Sequence, residues 1–281
     1  MTVVIDDLRI GDMSIGKVVA HAQNRLEKQQ QYWDIRRLDI FNRGGKISGQ
    51  GMWTHAPGQE GHTTIDVLVD IDNMGTVLSS LSVENAMKGA PTHASAKLSW
   101  QGMPFKPRLE TLSGNVTSES GSGSFLQIEP GAGRLLSLLS MQHLLHRLTL
   151  DFRDVLSQGF TFDSLFLSGT VENGLLTIPK ATVFGSAATV VLGGKADIPN
   201  ETLDAKAVIL PAINAAGPSL ALALVNPAVG IGTFLTQLIL KDQLSNIFRV
   251  EYDIKGTFDN PILTKIDLAN KMNENRNAAV Q

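Results

Sequence analysis

The sequence predicts a mainly β protein: an elongated, curled antiparallel sheet with an apolar inner face and two or three short helices. Three observations support this fold class. Apolar and polar residues alternate with a period of two along most of the chain, turn sequences separate the alternating segments, and helical periodicity is confined to a few places. Strands that follow one another without helices between them pair antiparallel.

The alternation is clearest at residues 64–71, 92–100, 147–153 and 248–259. The sequences NRGG at 42–45 and DNP at 259–261 are typical of the turns between strands. The apolar residues of the four segments share one side of the predicted sheet, and we take them as candidates for the lining of an apolar groove: Ile65, Val67, Val69, Leu98, Trp100, Leu148, Leu150, Phe152, Phe248, Val250, Tyr252 and Ile254.

Two segments resemble each other as strand, small-residue turn and strand. LDIF at 38–41 leads through glycines to ISG at 47–49, and ATVF at 181–184 leads through Gly185 to VLG at 191–193. The pattern indicates a repeated hairpin unit.

Helical periodicity predicts a helix within 74–87 and a leucine-rich helix over 132–145. A third apolar helical segment is predicted over 207–240, which carries no charge but is interrupted by prolines, so we interpret it as two short helices, 219–225 and 228–240, rather than a membrane span. These helices are buried in protein or rest in lipid. Their large apolar residues are Leu220, Leu222, Leu224, Ile231, Phe234, Leu235, Leu238 and Ile239.

Composition excludes several classes of protein. The net charge is −3 and the basic residues are scattered, which argues against a nucleic-acid binder. Cysteine is absent, so neither disulfides nor thiolate metal sites form. The first residues, MTVVIDDLRIGD, do not form a signal peptide. We therefore expect either a cytosolic protein or a piece of a longer chain whose export or anchor segment lies upstream.

Catalytic patterns are weak. The chain contains no GxSxG, HExxH or P-loop sequence. The turn at 131–133 has Leu136 where a phosphate-binding loop would have a further glycine, and the pair His143 and His146 has no third metal ligand nearby. Asp151, Asp154 and Asp163 form the densest acidic group, for which solvent-facing or turn-capping roles are favoured over acid–base catalysis. We predict no cofactor, no metal and no enzymatic activity.

The apolar side of the predicted sheet must be covered, because leaving a large apolar side chain wet forgoes roughly 1.5–3 kcal/mol. Two or three short helices are too small to cover a sheet of on the order of a dozen strands at about 4.8 Å per strand. Two alternatives stay open at this point. Either the face closes on a second sheet as a sandwich, or it remains an open trough that holds acyl chains.

The segment at 121–164, GSGSFLQIEPGAGRLLSLLSMQHLLHRLTLDFRDVLSQGFTFDS, resembles the C-terminal region of the YhdP family of AsmA-like bacterial envelope proteins. Three later segments fall in the order expected for that family: VENGLLTIPKATVFG at 171–185, LVNPAVGIGTFLTQLILKD at 224–242 and YDIKGTFDNPIL at 252–263. Before residue 121 the resemblance rests on the strand pattern and on ISGQGMW at 47–53.

The resemblance implies a non-enzymatic conduit in the periplasm, in which a curled sheet carries phospholipid between the inner and outer membranes in an apolar groove. It also implies membrane contact, with the large apolar residues of 207–240 as candidates for docking at a membrane or plugging the groove. The chain would be part of an inner-membrane-anchored protein reaching the outer membrane. We divide the chain into β-sheet repeats at 1–120, a C-terminal β region with the two helical segments at 121–265, and a polar, loosely ordered tail at 266–281.

Two other hypotheses remain. In the first, the protein is an envelope assembly factor or scaffold whose open sheet edge binds β-rich outer-membrane partners by strand addition. In the second, it is an enzyme that acts on lipid or glycan through the aspartates of the acidic group.

Overall fold

The computed structural model describes residues 1–126, 160–211, 250–258 and 260–266. Most of these residues form β-strands, and the mainly antiparallel β fold predicted from the alternation is confirmed. The strands are β1 (Thr2–Ile10), β2 (Met13–Glu27), β3 (Gln30–Asn42), β4 (Gly45–His55), β5 (His62–Ile71), β6 (Met87–Gly89), β7 (Thr92–Met103), β8 (Lys106–Pro107), β9 (Ser113–Ser120), β10 (Gly123–Phe125), β11 (Phe160–Phe162), β12 (Ser164–Glu172), β13 (Leu175–Phe184), β14 (Ala188–Asp197), β15 (Thr202–Pro211), β16 (Val250–Thr257) and β17 (Pro261–Ile266).

One 14-stranded sheet follows the order β1-β2-β3-β4-β5-β7-β9-β12-β13-β14-β15-β16-β17, with β8 paired to β7. Neighbouring strands in this order are antiparallel, and the order follows the chain. The described strands do not close into a ring, so β1 and β17 are the two edges of the sheet.

The register of the strand pairs defines two faces. Because directly paired residues point to the same side, Gly51, Ile65 and Leu98 lie on one face, and Asp66 and its partner lie on the other. We call the first the inner face. Its residues are mostly apolar in every strand from β3 to β16, which is the alternation that the sequence shows.

Besides the irregular pairing of β1 with β2, β-bulges occur in β3 and β13. Between Ile35 and Leu38 in β3, and between Ile178 and Ala181 in β13, two residues oppose one residue of the next strand. These strands are six places apart in the sheet, and they belong to the two hairpins whose sequences resemble each other. The ladders from β4 to β12 keep an unbroken register. Because a bulge bends and twists its strand, the sheet is bent at two equivalent places.

A second, three-stranded sheet in the order β11-β10-β6 lies against the inner face, and we call it the cap. Phe125 pairs with both Phe160 and Met87, so these side chains share one side of the cap. They pack into a core with inner-face residues of the large sheet. The opposite side of the cap carries Lys88 and Thr161, which are exposed.

Helix α1 (Met74–Ser80) and a 3-10 helix (Leu109–Thr111) complete the described elements. The Asn73 side chain caps α1 by accepting a hydrogen bond from the Thr76 amide at 3.1 Å. The helix predicted within 74–87 is present, but it ends at Ser80. Ser82 and Asn85, which follow it, adopt positive φ angles that are incompatible with a continuing helix. Among the described residues no helix combines the length and apolar character that crossing a bilayer requires.

The interpretation of 207–240 as helical is wrong for its first five residues, which form the end of β15. They pair with β14 and β16, and apolar residues suit a strand that is buried on both faces. Residues 212–240, the leucine-rich segment at 132–145 and the tail after residue 266 lie outside the described residues. Residues 1–120 and 121–265 both contribute strands to the large sheet, and their division into separate regions stays a prediction.

Candidate functional site: the apolar trough

The central part of the inner face, across β4, β5, β7 and β9, forms a strip of small and branched apolar residues. Every residue of the strip is partly exposed, whereas the neighbours that point to the other face in β5 are exposed. We call this strip the trough floor. It consists of Ile47, Gly49, Gly51, Ile65, Val67, Val69, Ala94, Ala96, Leu98, Gly114, Val116 and Ser118.

The trough floor is bounded at both ends of its strands by buried rows. At one end Ile71, Thr92 and Ser120 are paired across β5, β7 and β9, and they are 3–7% exposed. At the other end Trp53, Thr63 and Trp100 are paired, and they are 0–7% exposed. The partly exposed strip between the two rows has three inner-face residues per strand, which span four residue steps, or about 13 Å. It is therefore an apolar band that runs across the strands.

The row of Trp53, Thr63 and Trp100 contains two of the three tryptophans of the chain, and the third, Trp33, is paired with Trp53. We call these three tryptophans the aromatic wall. The Trp33 and Trp53 ring centroids are 5.8 Å apart with an edge-to-face angle of 70°, and His55 stacks on Trp53 at 5.4 Å. Trp100 Nε1 donates to the Met103 carbonyl at 3.0 Å. These contacts hold large flat side chains at one boundary of the trough.

The opposite boundary row is polar in two of its positions, but its hydroxyls are satisfied internally. Thr92 Oγ1 donates to the Ala90 carbonyl, and it lies 2.9 Å from the Ser120 hydroxyl. Met74 of α1 and Met87 of the cap pack into the core beside this row. The row is therefore closed to water without presenting free hydrogen-bonding groups to the trough.

The outer face of the same strands is polar. Asp70 pairs with His93 across β5 and β7 at 2.9 Å, and Asp66 pairs with Lys97 at 3.9 Å, with all four side chains at least half exposed. Pairs this exposed contribute little stability, but they keep this face in water. The contrast with the trough floor sets the orientation of the sheet: one face is solvated, and the other is apolar and partly covered.

Asp39, on the outer face of β3, is the one carboxylate among the described residues whose pKa is clearly lowered. Its side chain is 3% exposed, and burial alone would raise the pKa. Hydrogen bonds from Lys46, Arg37 and Ser48 outweigh that effect and hold the pKa below its usual value. Lys46 Nζ and Ser48 Oγ each lie 3.0 Å from Asp39 Oδ1.

The structure separates the predicted groove residues into three groups. Ile65, Val67, Val69 and Leu98 lie on the trough floor, and Trp100 lies in its aromatic wall. Val250, Tyr252 and Ile254 share the inner face, but they are 1–8% exposed in core clusters formed with the cap and with β14 to β17. The remaining residues lie outside the described part of the chain: Leu148, Leu150, Phe152 and Phe248, and the docking set Leu220, Leu222, Leu224, Ile231, Phe234, Leu235, Leu238 and Ile239. A role for any of them in lipid contact stays a prediction.

Sequence reasoning missed the glycines of the trough floor, the wall formed by Trp33 and Trp53, and the cap. The segment ISGQGMW carried the signal for the first two, because Ile47, Gly49, Gly51 and Trp53 alternate on one side of β4. The cap had no comparable signal, since its three strands are each three residues long.

The chemistry of the trough is that of an apolar surface. Its floor carries no titratable side chain, and in the described ranges no three His, Asp or Glu residues gather in a way that could hold a metal ion. Asp163, the one member of the predicted acidic group in these ranges, is exposed at the start of β12. A partly exposed apolar band of this kind is suited to hydrocarbon chains.

Comparison with known proteins identifies the family of the chain. The sequence model of the YhdP protein family matches residues 1–263. The chain belongs to the YhdP family. The match extends to the first residue, so the resemblance noted after residue 121 also holds for the first part of the sheet.

A relative from Escherichia coli (strain K12), named as the intermembrane phospholipid transporter YhdP, is 28% identical over 222 residues. The aligned region is 79% of this chain and 18% of that relative, so this YhdP-family chain spans less than a fifth of the relative's length. No solved structure matches.

Proposed function

We propose that this chain carries phospholipid between membranes without catalysis, with the acyl chains lying on the trough floor. The observation that carries the proposal is the partly exposed apolar strip between two buried rows. The name of the Escherichia coli relative, an intermembrane phospholipid transporter, supports the same substrate class. We further propose that the chain works in the periplasm, as part of a longer protein that bridges the inner and outer membranes.

The energetic argument rests on the trough floor. Burying a large apolar side chain is worth roughly 1.5–3 kcal/mol, and the partly exposed residues of the strip have only part of that gain in the free protein. An acyl chain laid across Ile65, Val67 and Leu98 would supply the rest while leaving water itself. The headgroup would stay outside the apolar strip, because the floor offers it no charged partner.

Membrane contact belongs to the same proposal. The uncharged segment that follows β15, with residues such as Leu222 and Phe234, would dock at a bilayer or plug the trough. Deletion of residues 219–240 should then reduce binding of the chain to liposomes. Unchanged liposome association would remove the docking role and leave the trough proposal intact.

The decisive experiment compares two adjacent residues of β5 that point to opposite faces. Val67 lies on the trough floor, and Leu68 is 64% exposed on the outer face. The chain would be exported to a bacterial periplasm, purified gently and analysed by native mass spectrometry and lipid extraction. We expect phospholipid in near-stoichiometric amounts, a strong loss with Val67→Lys, and wild-type amounts with Leu68→Lys.

Circular dichroism and the urea unfolding midpoint would establish that both variants are folded. Lipid-free wild-type protein, or equal losses from the two lysine variants, would contradict the trough as the lipid site.

A second candidate function is strand addition to a β-rich envelope partner, which would pair at an edge of the described sheet such as β1. This strand has nine residues, it is paired only with β2 in the described sheet, and Val4 is 54% exposed on it. A proline at Val4 would block pairing at this edge, with little effect on the trough. If Val4→Pro abolishes capture of an outer-membrane protein and leaves bound lipid unchanged, strand addition is a separate function of the chain.

A further inference from the structure

We infer that the acyl-chain site ends where the cap begins, so that lipid lies against β4 to β9 and is excluded from the part of the same face of β14 to β16 that the cap covers, at Val190, Ile209, Val250 and Tyr252. This inference rests on the proposed function and restricts it to one part of the sheet. The cap is then an end wall of the trough rather than part of its lining.

The first observation is the two-sided character of the cap. By register, Met87, Phe125, Phe160 and Phe162 point to one side of its strands, while Lys88, Ser124 and Thr161 point to the other. The phenylalanines are 0–5% exposed. A short sheet with one apolar and one polar side is built to be the outer layer of a sandwich.

The second observation is what the apolar side of the cap touches. Its phenylalanines form one core cluster with Val190, Ile209, Val250 and Tyr252 of the large sheet. These four residues come from β14, β15 and β16, and all are 8% exposed or less. The inner face here already has its apolar partner, so an acyl chain would have to displace the cap to reach it.

The third observation is how closely the cap is fitted. A methyl group built on Gly185, in the β13–β14 turn of the large sheet, would lie 2.7 Å from the Phe160 ring of the cap. The backbone amide of Asp163 also donates to the Phe184 carbonyl at 2.7 Å. Contacts at this spacing leave no room for a hydrocarbon chain between cap and sheet.

The fourth observation is that inner-face residues are less buried on the trough floor than on β16. On β5, β7 and β9, the central inner-face residues are all partly exposed. On β16, Val250, Tyr252 and Ile254 are all buried. The same face of one sheet is thus partly exposed at the trough floor and filled where the cap packs, while central residues of β14 such as Leu192 and Ala196 are partly exposed.

The test uses the full chain and a phospholipid with a diazirine in one acyl chain, mixed into phosphatidylcholine vesicles. After loading and illumination, cross-linked residues are mapped by mass spectrometry of peptides. We expect label on trough-floor residues such as Ile65, Val67 and Leu98, and none on Val190, Ile209 or Tyr252. Label on both sets would overturn the end wall while leaving lipid carriage in place. Label on neither set would overturn both.

A pair of variants in β11 sharpens the test. Phe162→Ala removes a side chain that fills the space between cap and sheet, so label should spread to Val190 and Ile209. Thr161→Ala, on the exposed side of the same strand, should leave the wild-type pattern. An unchanged pattern in folded Phe162→Ala would contradict the cap as the barrier, and if that variant does not fold, the wild-type map decides alone.

Discussion

Strands β5 and β15 lie in the same sheet but bury their residues in different patterns. In β5 exposed residues alternate with less exposed ones, whereas in β15 Ala207, Val208 and Ile209 are buried in succession. On the outer face of the neighbouring strands, Val191 is also buried. Among the described residues, the trough floor has no full covering layer on either face, whereas β15 is buried on both faces from Ala207 to Ile209. One sheet contains both of the architectures that the alternation left open, a trough and a sandwich.

Apolar alternation therefore identifies the apolar face of a sheet but does not show what covers that face. Ile65 and Ile254 belong to equally regular alternating strands, yet Ile65 is partly exposed and Ile254 is 4% exposed. Ile254 packs in a core cluster with Leu203, Ala207 and Phe258, and alternation within one strand does not specify such partners.

Removing the centre of the cap should have the largest effect. Phe162 is 0% exposed, so Phe162→Ala leaves a cavity and should lower the free energy of unfolding by about 3–5 kcal/mol. Thr161→Ala in the same strand should stay within about 0.5 kcal/mol of wild type, since it is exposed. Urea unfolding followed by circular dichroism measures both, and equal midpoints would mean that the cap does not stabilise the sheet.

Two isoleucines of the inner face give a matched comparison between the segments. Ile209→Ala, beneath the cap at 6% exposure, should cost about 2–5 kcal/mol. Ile65→Ala, on the partly exposed trough floor, should cost about 1 kcal/mol, because less of its surface is removed from water in the lipid-free protein. The two midpoints would be measured in urea after lipid extraction. Similar losses would show that the trough floor is as well covered as the capped face.

Asp39→Asn probes the buried polar centre on the outer face near the trough. Replacing this carboxylate weakens hydrogen bonds to charged groups, and the expected loss is about 1–3 kcal/mol at neutral pH. The folded pKa is lowered, so this contribution is complete above the pKa of the unfolded chain and disappears as the pH falls through the folded pKa. The gap between wild-type and variant midpoints should therefore shrink in acid. A gap that is constant with pH would exclude a charged Asp39 as its source.

The outer-face ion pairs should contribute least. His93→Ala breaks a pair in which both side chains are more than 70% exposed, and the unfolding free energy should change by less than about 0.5 kcal/mol. The same urea titration, repeated at high salt, measures it. A larger loss would mean that the outer face is shielded from water by a partner in solution.

Much of the large sheet could be predicted from sequence, because alternation is a local property. The strands around Val67, Leu98 and Tyr252 and the faces they present follow from residues a few positions apart. The cap could not be predicted in this way. Gly123 pairs with Gly89 and Phe162, which lie 34 and 39 residues away along the chain, and no pattern within three residues specifies such partners.

The same limit explains the error at 207–211. An uncharged run such as AVIL is compatible with a buried helix or with a strand covered on both faces, and periodicity does not separate them. The pairing of Val208 with Val191 and Glu251 shows that this run is a strand and not a helix. The trough residues Ile65 and Val67 were predictable because the outer face of their strand is exposed to water, which produces a regular alternation of polar and apolar residues.

The recurrence of the bulge has a mechanical consequence. The bulged strands β3 and β13 are six places apart, which is about 29 Å along the sheet at the usual strand spacing. Each bulge interrupts the regular hydrogen-bond ladder, so resistance to bending is lowest there and highest in the unbroken ladders between them. Thermal flexing and applied tension should therefore concentrate at β3 and β13. The trough floor lies in the stiff interval and would keep its width while the ribbon bends on either side.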